Sequence, residues 1–191
     1  MTPRILEHNP LAPDAPDLPI GDAHAIVCWS GTLADRLFDR DPRTWLPSGK
    51  AALDAWLDRV EPTLRESNTR LLLRPHARHV IADGPRAVTF HKERCGEGSP
   101  VGLALDLAAL FEADMIAKQD EHLERFASQI GPIASLMLLT DCERPRSAGV
   151  GFEETPSPRI VPLGEGDLDA ALVESALSSH VPAGTPRLSL A

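Results

Sequence analysis

The sequence predicts an α/β protein: a parallel sheet buried between helices. Three observations point there. The runs at 24–29, 70–74, 101–105 and 135–139 are apolar without polar alternation, as strands covered on both faces are. Between several of them, apolar residues recur at three- and four-residue steps, the mark of amphipathic helices. The 191 residues can bury one sizeable core, yet an eight-stranded α/β barrel takes roughly 250. The spacing of these elements fits a partial (β/α) barrel and an open sheet equally.

Residues 1–22 hold five of the 18 prolines and read as an irregular or extended lead-in. The domain proper spans 23–191. Its first strand, in HAIVCWSG, is closed by Ser30-Gly31. From Pro47, the positions Leu53, Trp56, Leu57, Val60 and Leu64 define a helix of about 18 residues. Ser48 is the cap this pattern offers, with Pro47 just before the first turn. Asn68 ends the helix and the strand at 70–74 follows. The strand at 101–105 ends at Asp106. A helix starting near Asp114 presents Ile116, Leu123, Phe126 and Ile130 on one stripe, and the strand at 135–139 ends in Thr140-Asp141. After an irregular segment rich in Pro, Arg and Gly, residues 160–163 lead into Gly-Glu-Gly-Asp. There Asp167 is placed to cap a helix with Leu168, Leu172, Val173 and Leu177 on its stripe. A last strand lies at 187–190. These five strands set the expectation at four to six, with uncovered sheet edges. The lead-in or a second copy of the chain would cover them.

Charge and composition narrow the function classes. The 28 Asp and Glu against 19 Lys and Arg give a net charge of −9 with no basic block, which argues against a nucleic-acid surface. The three tryptophans form no stripe on which bases could stack. No apolar run reaches the roughly 18 residues of a membrane span, and the opening residues lack the apolar stretch of a secretory leader. Cys28, Cys95 and Cys142 have no metal-type spacing, so reduced thiols and a cytoplasmic location are expected.

Ligands of parallel α/β folds bind at the carboxyl ends of strands. Arg74, His76, Arg78 and His79 lie within six positions there, beyond a bend at Pro75. Two guanidinium forks and two imidazoles suit a phosphate or carboxylate. The plainer possibility is solvated loop histidines and an arginine paired with a neighbouring carboxylate. Asp106 directly follows an apolar strand, where a carboxylate needs a metal, a charge partner or loop N–H groups. Asp141 is placed alike, with Arg144 and Arg146 as prospective partners. The GEGD segment lacks the Lys-Ser/Thr of a phosphate loop.

Taken together, LLLRPHARHVIADG, VGLALDLAALFEADMI with DEHLERFASQIG, SLMLLTD and VPLGEGDLDAALVESAL resemble the sugar phosphate isomerase/epimerase family, the xylose-isomerase-like barrels. The resemblance covers roughly 24–191, and PLGEGDLD is its most specific piece. It implies a TIM-barrel framework, here short and partial, and a metal-assisted proton transfer between adjacent carbons of a sugar. The family's ligand positions are mostly lost. Arg74 stands where a metal-binding Glu is usual, although His76 keeps its place. Asp106 is retained, but Ala109 replaces the His three residues on. Leu138 replaces the His ahead of Asp141, and Ala191 falls at the final Glu. The resemblance therefore implies a non-catalytic relative with no catalytic residues, metal or cofactor, binding a small anion or sugar phosphate through Arg74, His76, Arg78, His79, Asp106 and Asp141. The alternative is an isomerase or epimerase with a rearranged site using His76, His79, Asp106 and Asp141. If Arg74 occupies the place of the lost Glu ligand, its guanidinium is expected beside Asp106.

Overall fold

The structure, a computed structural model, describes residues 3–20, 23–145 and 156–189. In chain order its elements are β1 (Arg4–Leu6), β2 (Ala25–Trp29), α1 (Pro47–Glu66), β3 (Arg70–Arg74), α2 (Gly84–Arg94), β4 (Val101–Asp106), α3 (Gln119–Ile130), β5 (Leu136–Glu143), β6 (Arg159–Pro162), α4 (Ala170–His180) and β7 (Arg187–Ser189). Six strands run parallel in the order β1-β2-β3-β4-β5-β7. The first half of β5 pairs with β4 and β7, and its second half pairs antiparallel with β6.

Side chains alternate across each strand, and both faces are covered. Ile26, Cys28, Leu71, Leu73, Leu103, Leu105 and Met137 join the core that includes the helices. Val27, Leu72, Ala104, Leu136 and Leu138 form a second cluster on the opposite, concave face. Double burial is why these runs show no polar alternation. Ile5 and Leu188, from strands at opposite edges, both pack on that second cluster, so the sheet curls into a half-barrel. Among the described residues β1 and β7 do not pair with each other, and the barrel stays open.

The sheet has seven strands, more than the four to six expected. Two were not legible. β1 is three residues long within the proline-rich lead-in, where it covers the edge of β2. β6 contributes one buried residue, Val161, and its short apolar stretch, Ile160-Val161-Pro162, is broken by a proline that argues against a strand. The last strand ends at Ser189; the two residues after it lie outside the described ones.

Helix ends also differ in detail. Pro47 is the first residue of α1, and Ser48 does not cap it: the Ser48 hydroxyl donates to the Arg43 carbonyl at 2.8 Å. Asn68 closes that connection in the left-handed region, φ 52°. A 3-10 turn at Met115–Lys118 precedes α3, so the regular helix begins later than Asp114. Asp169, rather than Asp167, caps α4 by accepting from Ala171 N at 2.8 Å. Asp167 instead accepts from Arg144 N at 2.7 Å. Val173, Ala176 and Leu177 form the inner face of α4, whereas Leu172 is exposed. Helix α2 was not anticipated; it buries only Gly84, Ala87 and Phe90, and Asp83 caps it. Among the described residues, no helix is long and apolar enough to cross a membrane. The three cysteines are free.

Candidate functional site

Strand alternation determines which groups meet at the carboxyl ends. Trp29, Arg74, Asp106 and Thr140 share parity with Val27, Leu72, Ala104 and Leu138, so they lie on the concave side. Arg74 and Asp106 are 2% and 0% exposed. Arg74 Nε donates to Asp106 Oδ2 at 2.8 Å, and Nη2 lies 2.5 Å from the same oxygen. Nη2 is buried and makes no hydrogen bond of its own, so its contact with Asp106 is an ion pair only. Nη1 donates to Glu7 Oε1 at 3.1 Å, and the guanidinium carbon sits 3.9 Å from the Trp29 ring centroid. Glu7 Oε2 accepts from Trp29 Nε1 at 2.8 Å. Asp106 Oδ1 accepts from Ala109 N at 3.2 Å and from the Thr140 hydroxyl at 2.5 Å. The expected pairing of Arg74 with Asp106 is present, and Asp106 also caps the turn after β4.

The loop beyond Pro75 turns inward. Arg78 is buried and makes a two-pronged contact with Glu112, Nε to Oε1 at 2.8 Å and Nη2 to Oε2 at 2.7 Å. Its Nη1 donates to the Phe38 carbonyl, and Arg40 adds a second cation to Glu112 at 3.0 Å. His76 Nδ1 accepts from Arg78 N at 3.0 Å, which assigns its proton to Nε2. His79 Nε2 donates to the Leu37 carbonyl at 2.8 Å. The two imidazoles, 4.6 Å apart, pack with Trp29 and Phe38. Burial pushes His79 down to about 3. Burial first, then His79 and Arg78, holds His76 well below its ordinary value. Both rings are neutral at pH 7 and add no positive charge to the rim.

Asp141 belongs elsewhere. Its side chain faces away from that of Thr140, so it does not join Asp106. Oδ1 accepts from Cys142 N and Leu168 N at 2.7 and 2.9 Å, and Oδ2 from Gly164 N and Gly166 N at 3.2 and 3.0 Å. The GEGD loop is wrapped around one buried carboxylate. A Cβ on Gly166 would lie 2.5 Å from Asp141 Oδ1 and 2.6 Å from the Cys142 carbonyl, so only glycine permits this approach. Its partners are backbone amides, not the anticipated arginines; Arg146 lies outside the described residues.

The six sequence-derived residues therefore fall into three groups: Arg74 with Asp106; His76, Arg78 and His79 with Glu112; and Asp141 in its loop. Glu7, Trp29, Glu112 and Thr140 escaped the sequence reading. Glu112 had a signal, a lone carboxylate after the apolar run 107–111, whereas Glu7 in the lead-in had none.

No family model matches the chain, and no curated protein matches its sequence. Solved structures do. A xylose isomerase domain protein from Planctomyces limnophilus is 14% identical, with a TM-score of 0.52 over 88% of this chain and 52% of that one. A probable 3-DHS dehydratase, AsbF, from Bacillus anthracis is 11% identical, with a TM-score of 0.53 over 86% and 56%. A D-psicose 3-epimerase is 15% identical, with a TM-score of 0.51 over 87% and 50%. The fold, an open (β/α) half-barrel, is thus similar to part of the barrel in these xylose-isomerase-like structures. The chain spans about half the length of these similar structures.

The divalent ion that this fold family implies does not fit the residues present. Both Asp106 oxygens are engaged, one by the Arg74 cation. His76 Nδ1 and His79 Nε2 are taken by backbone groups. Among the described residues, no three of His, Cys, Asp and Glu gather as ligands.

Proposed function

We propose that the chain is a non-catalytic relative of the sugar phosphate isomerases and epimerases that retains a weak small-anion or sugar-phosphate rim at Arg74. One observation carries this reading: the guanidinium of Arg74, which stands where the family resemblance places a metal-binding Glu, lies on the retained carboxylate of Asp106. A rearranged isomerase site gains no support from the geometry, because His76 and His79 are neutral within aromatic packing and Asp141 lies apart from Asp106. Arg78 is committed to Glu112, which narrows the anion rim to Arg74.

Three free thiols fit a reducing, cytoplasmic setting. The outer edges of β1 and β7 offer unpaired backbone to a second copy, and sedimentation at rising concentration reads that association. Calorimetry with Zn, Mn and Mg, and an isomerisation assay over a panel of sugars and sugar phosphates, test the main reading. Neither tight metal binding nor turnover is expected. One-to-one metal binding at micromolar affinity, with turnover lost in Asp106→Ala, overturns it.

A further inference from the structure

We propose that Trp29 and Arg74 form a slot for a small monocarboxylate, and that Glu7 is its built-in occupant, displaced when an external carboxylate binds. This rests on the anion-rim part of the function proposed above and names its atoms and ligand class.

Two donors converge, and one carboxylate divides between them. Glu7 Oε1 takes Arg74 Nη1 at 3.1 Å, and Oε2 takes Trp29 Nε1 at 2.8 Å. That is the two-oxygen geometry a free carboxylate would reproduce. Host and guest differ in burial. Trp29 and Arg74 are 1% and 2% exposed, whereas the Glu7 side chain is 57% exposed. The host is fixed in place: Phe38, His76 and His79 meet the Trp29 ring edge-on at 5.3–5.4 Å, and Asp106 holds Arg74. A slot so preorganised loses little when its occupant changes.

The guest rides on the weakest part of the sheet. Glu7 directly follows β1, three residues paired on one side only, the kind of element that opens locally at low cost. Two residues on, Asn9 is pinned: its Nδ2 donates to Thr32 O at 2.8 Å, and its Oδ1 accepts from Thr32 N and Leu11 N at 3.1 Å. Glu7 can leave the slot while the chain beyond stays attached. Charge selects the ligand. Asp106 balances Arg74, so the emptied slot is close to neutral and suits a monoanion better than a phosphate dianion. A tethered carboxylate competes at an effective concentration of about millimolar, so the intact chain binds external carboxylates weakly.

The test is titration of the intact chain and its Glu7→Ala and Glu7→Gln variants with acetate, formate and inorganic phosphate at fixed ionic strength. Thermal unfolding and the indole N–H resonance of Trp29 are the readouts. Glu7→Ala should bind acetate saturably and about tenfold or more tightly than the intact chain does, and its Trp29 resonance should return toward the wild-type position. Glu7→Gln, which keeps a neutral occupant, should fall between. Trp29→Phe in the Glu7→Ala background should lose the acetate response, a control that leaves the Arg74–Asp106 pair in place. No saturable acetate effect in Glu7→Ala, equal affinity with and without Glu7, or phosphate preferred over acetate each overturns the proposal. Metal binding or sugar turnover by the intact chain would overturn the non-catalytic reading and leave these titrations unaffected.

Discussion

Replacing Arg74 by methionine tests whether the Arg74–Asp106 pair organises the strand ends. The substitution keeps an unbranched apolar stem over Trp29 and removes the guanidinium. Asp106 then keeps its bonds from Ala109 N and Thr140 but loses the one cation paired with it among the described residues, at a site that is 0% exposed. Breaking a buried pair from one side costs about 3–5 kcal/mol. Losing the cation over the Trp29 ring, 3.9 Å from its centroid, adds about 1 kcal/mol. Glu7 offsets nothing, because its exposed carboxylate passes to water. A loss of about 4–6 kcal/mol corresponds to roughly 8–24 °C in Tm for a chain of this length. The Arg74→Met/Asp106→Leu double variant removes both charges, and should be about 2 kcal/mol or more less damaged than the single variant. Urea unfolding followed by tryptophan fluorescence and circular dichroism measures all corners of the cycle, with Asp106→Leu completing it. A single-variant loss below about 1 kcal/mol, or additive effects around the cycle, would refute the buried-pair account.

Acid sensitivity should follow from the neutral histidines. His79 at about 3 binds its proton far less readily folded than unfolded, so its share of stability is complete above about pH 6.5 and is lost as pH falls toward 3. At about pH 4.5 that share of the loss is about 3 kcal/mol; His79→Gln should flatten the acid limb of stability against pH, and an unchanged limb counts against a buried neutral ring. Asp141→Ala leaves four backbone N–H groups without their acceptor and should cost about 3 kcal/mol or more, with amide exchange rising first at 164–168; uniform exchange would show that the carboxylate does not organise that loop. Gly166→Ala should be nearly as damaging through its clash with Asp141 and Cys142, and wild-type stability in that variant would contradict the close approach. Millimolar Mg, Mn or Zn should leave Tm unmoved, and a saturable rise would mean that a metal site forms after all.

What was legible follows from which forces leave a linear trace. β2, β3, β4 and β5 were readable because burial on both faces writes an uninterrupted apolar run, and α1 because Leu53, Trp56, Leu57 and Leu64 repeat at helical spacing. β1 and β6 left no such trace: each joins one neighbour at an edge, so backbone pairing rather than side-chain burial defines it. α2 was hidden for a related reason, since Ala87 and Phe90 are its only buried apolar side chains. The misplaced cap on α4 shows a second limit. Asp167 and Asp169 both precede the helix, and what decides between them is tertiary: Arg144 N claims Asp167 from 23 residues away.

The same limit governs the strand-end charges. Position alone marked Asp106 and Asp141 as equivalent, each a carboxylate closing an apolar strand, and side-chain parity separates them. Asp106 extends the Leu72–Ala104–Leu138 face and meets Arg74, whereas Asp141 points the opposite way and gathers four amides. Parity could have been counted in the sequence, since Thr140 and not Asp141 keeps step with Leu136 and Leu138. What could not be counted is the supply of counter-charges. Glu7 comes 67 residues before Arg74, and Glu112 comes 34 after Arg78. Each arginine that looked open to a ligand is met by a carboxylate that only the closed fold brings near. Ligand binding at this rim is therefore a contest with internal carboxylates, and Glu7, the more exposed of the two, is the one a ligand can displace.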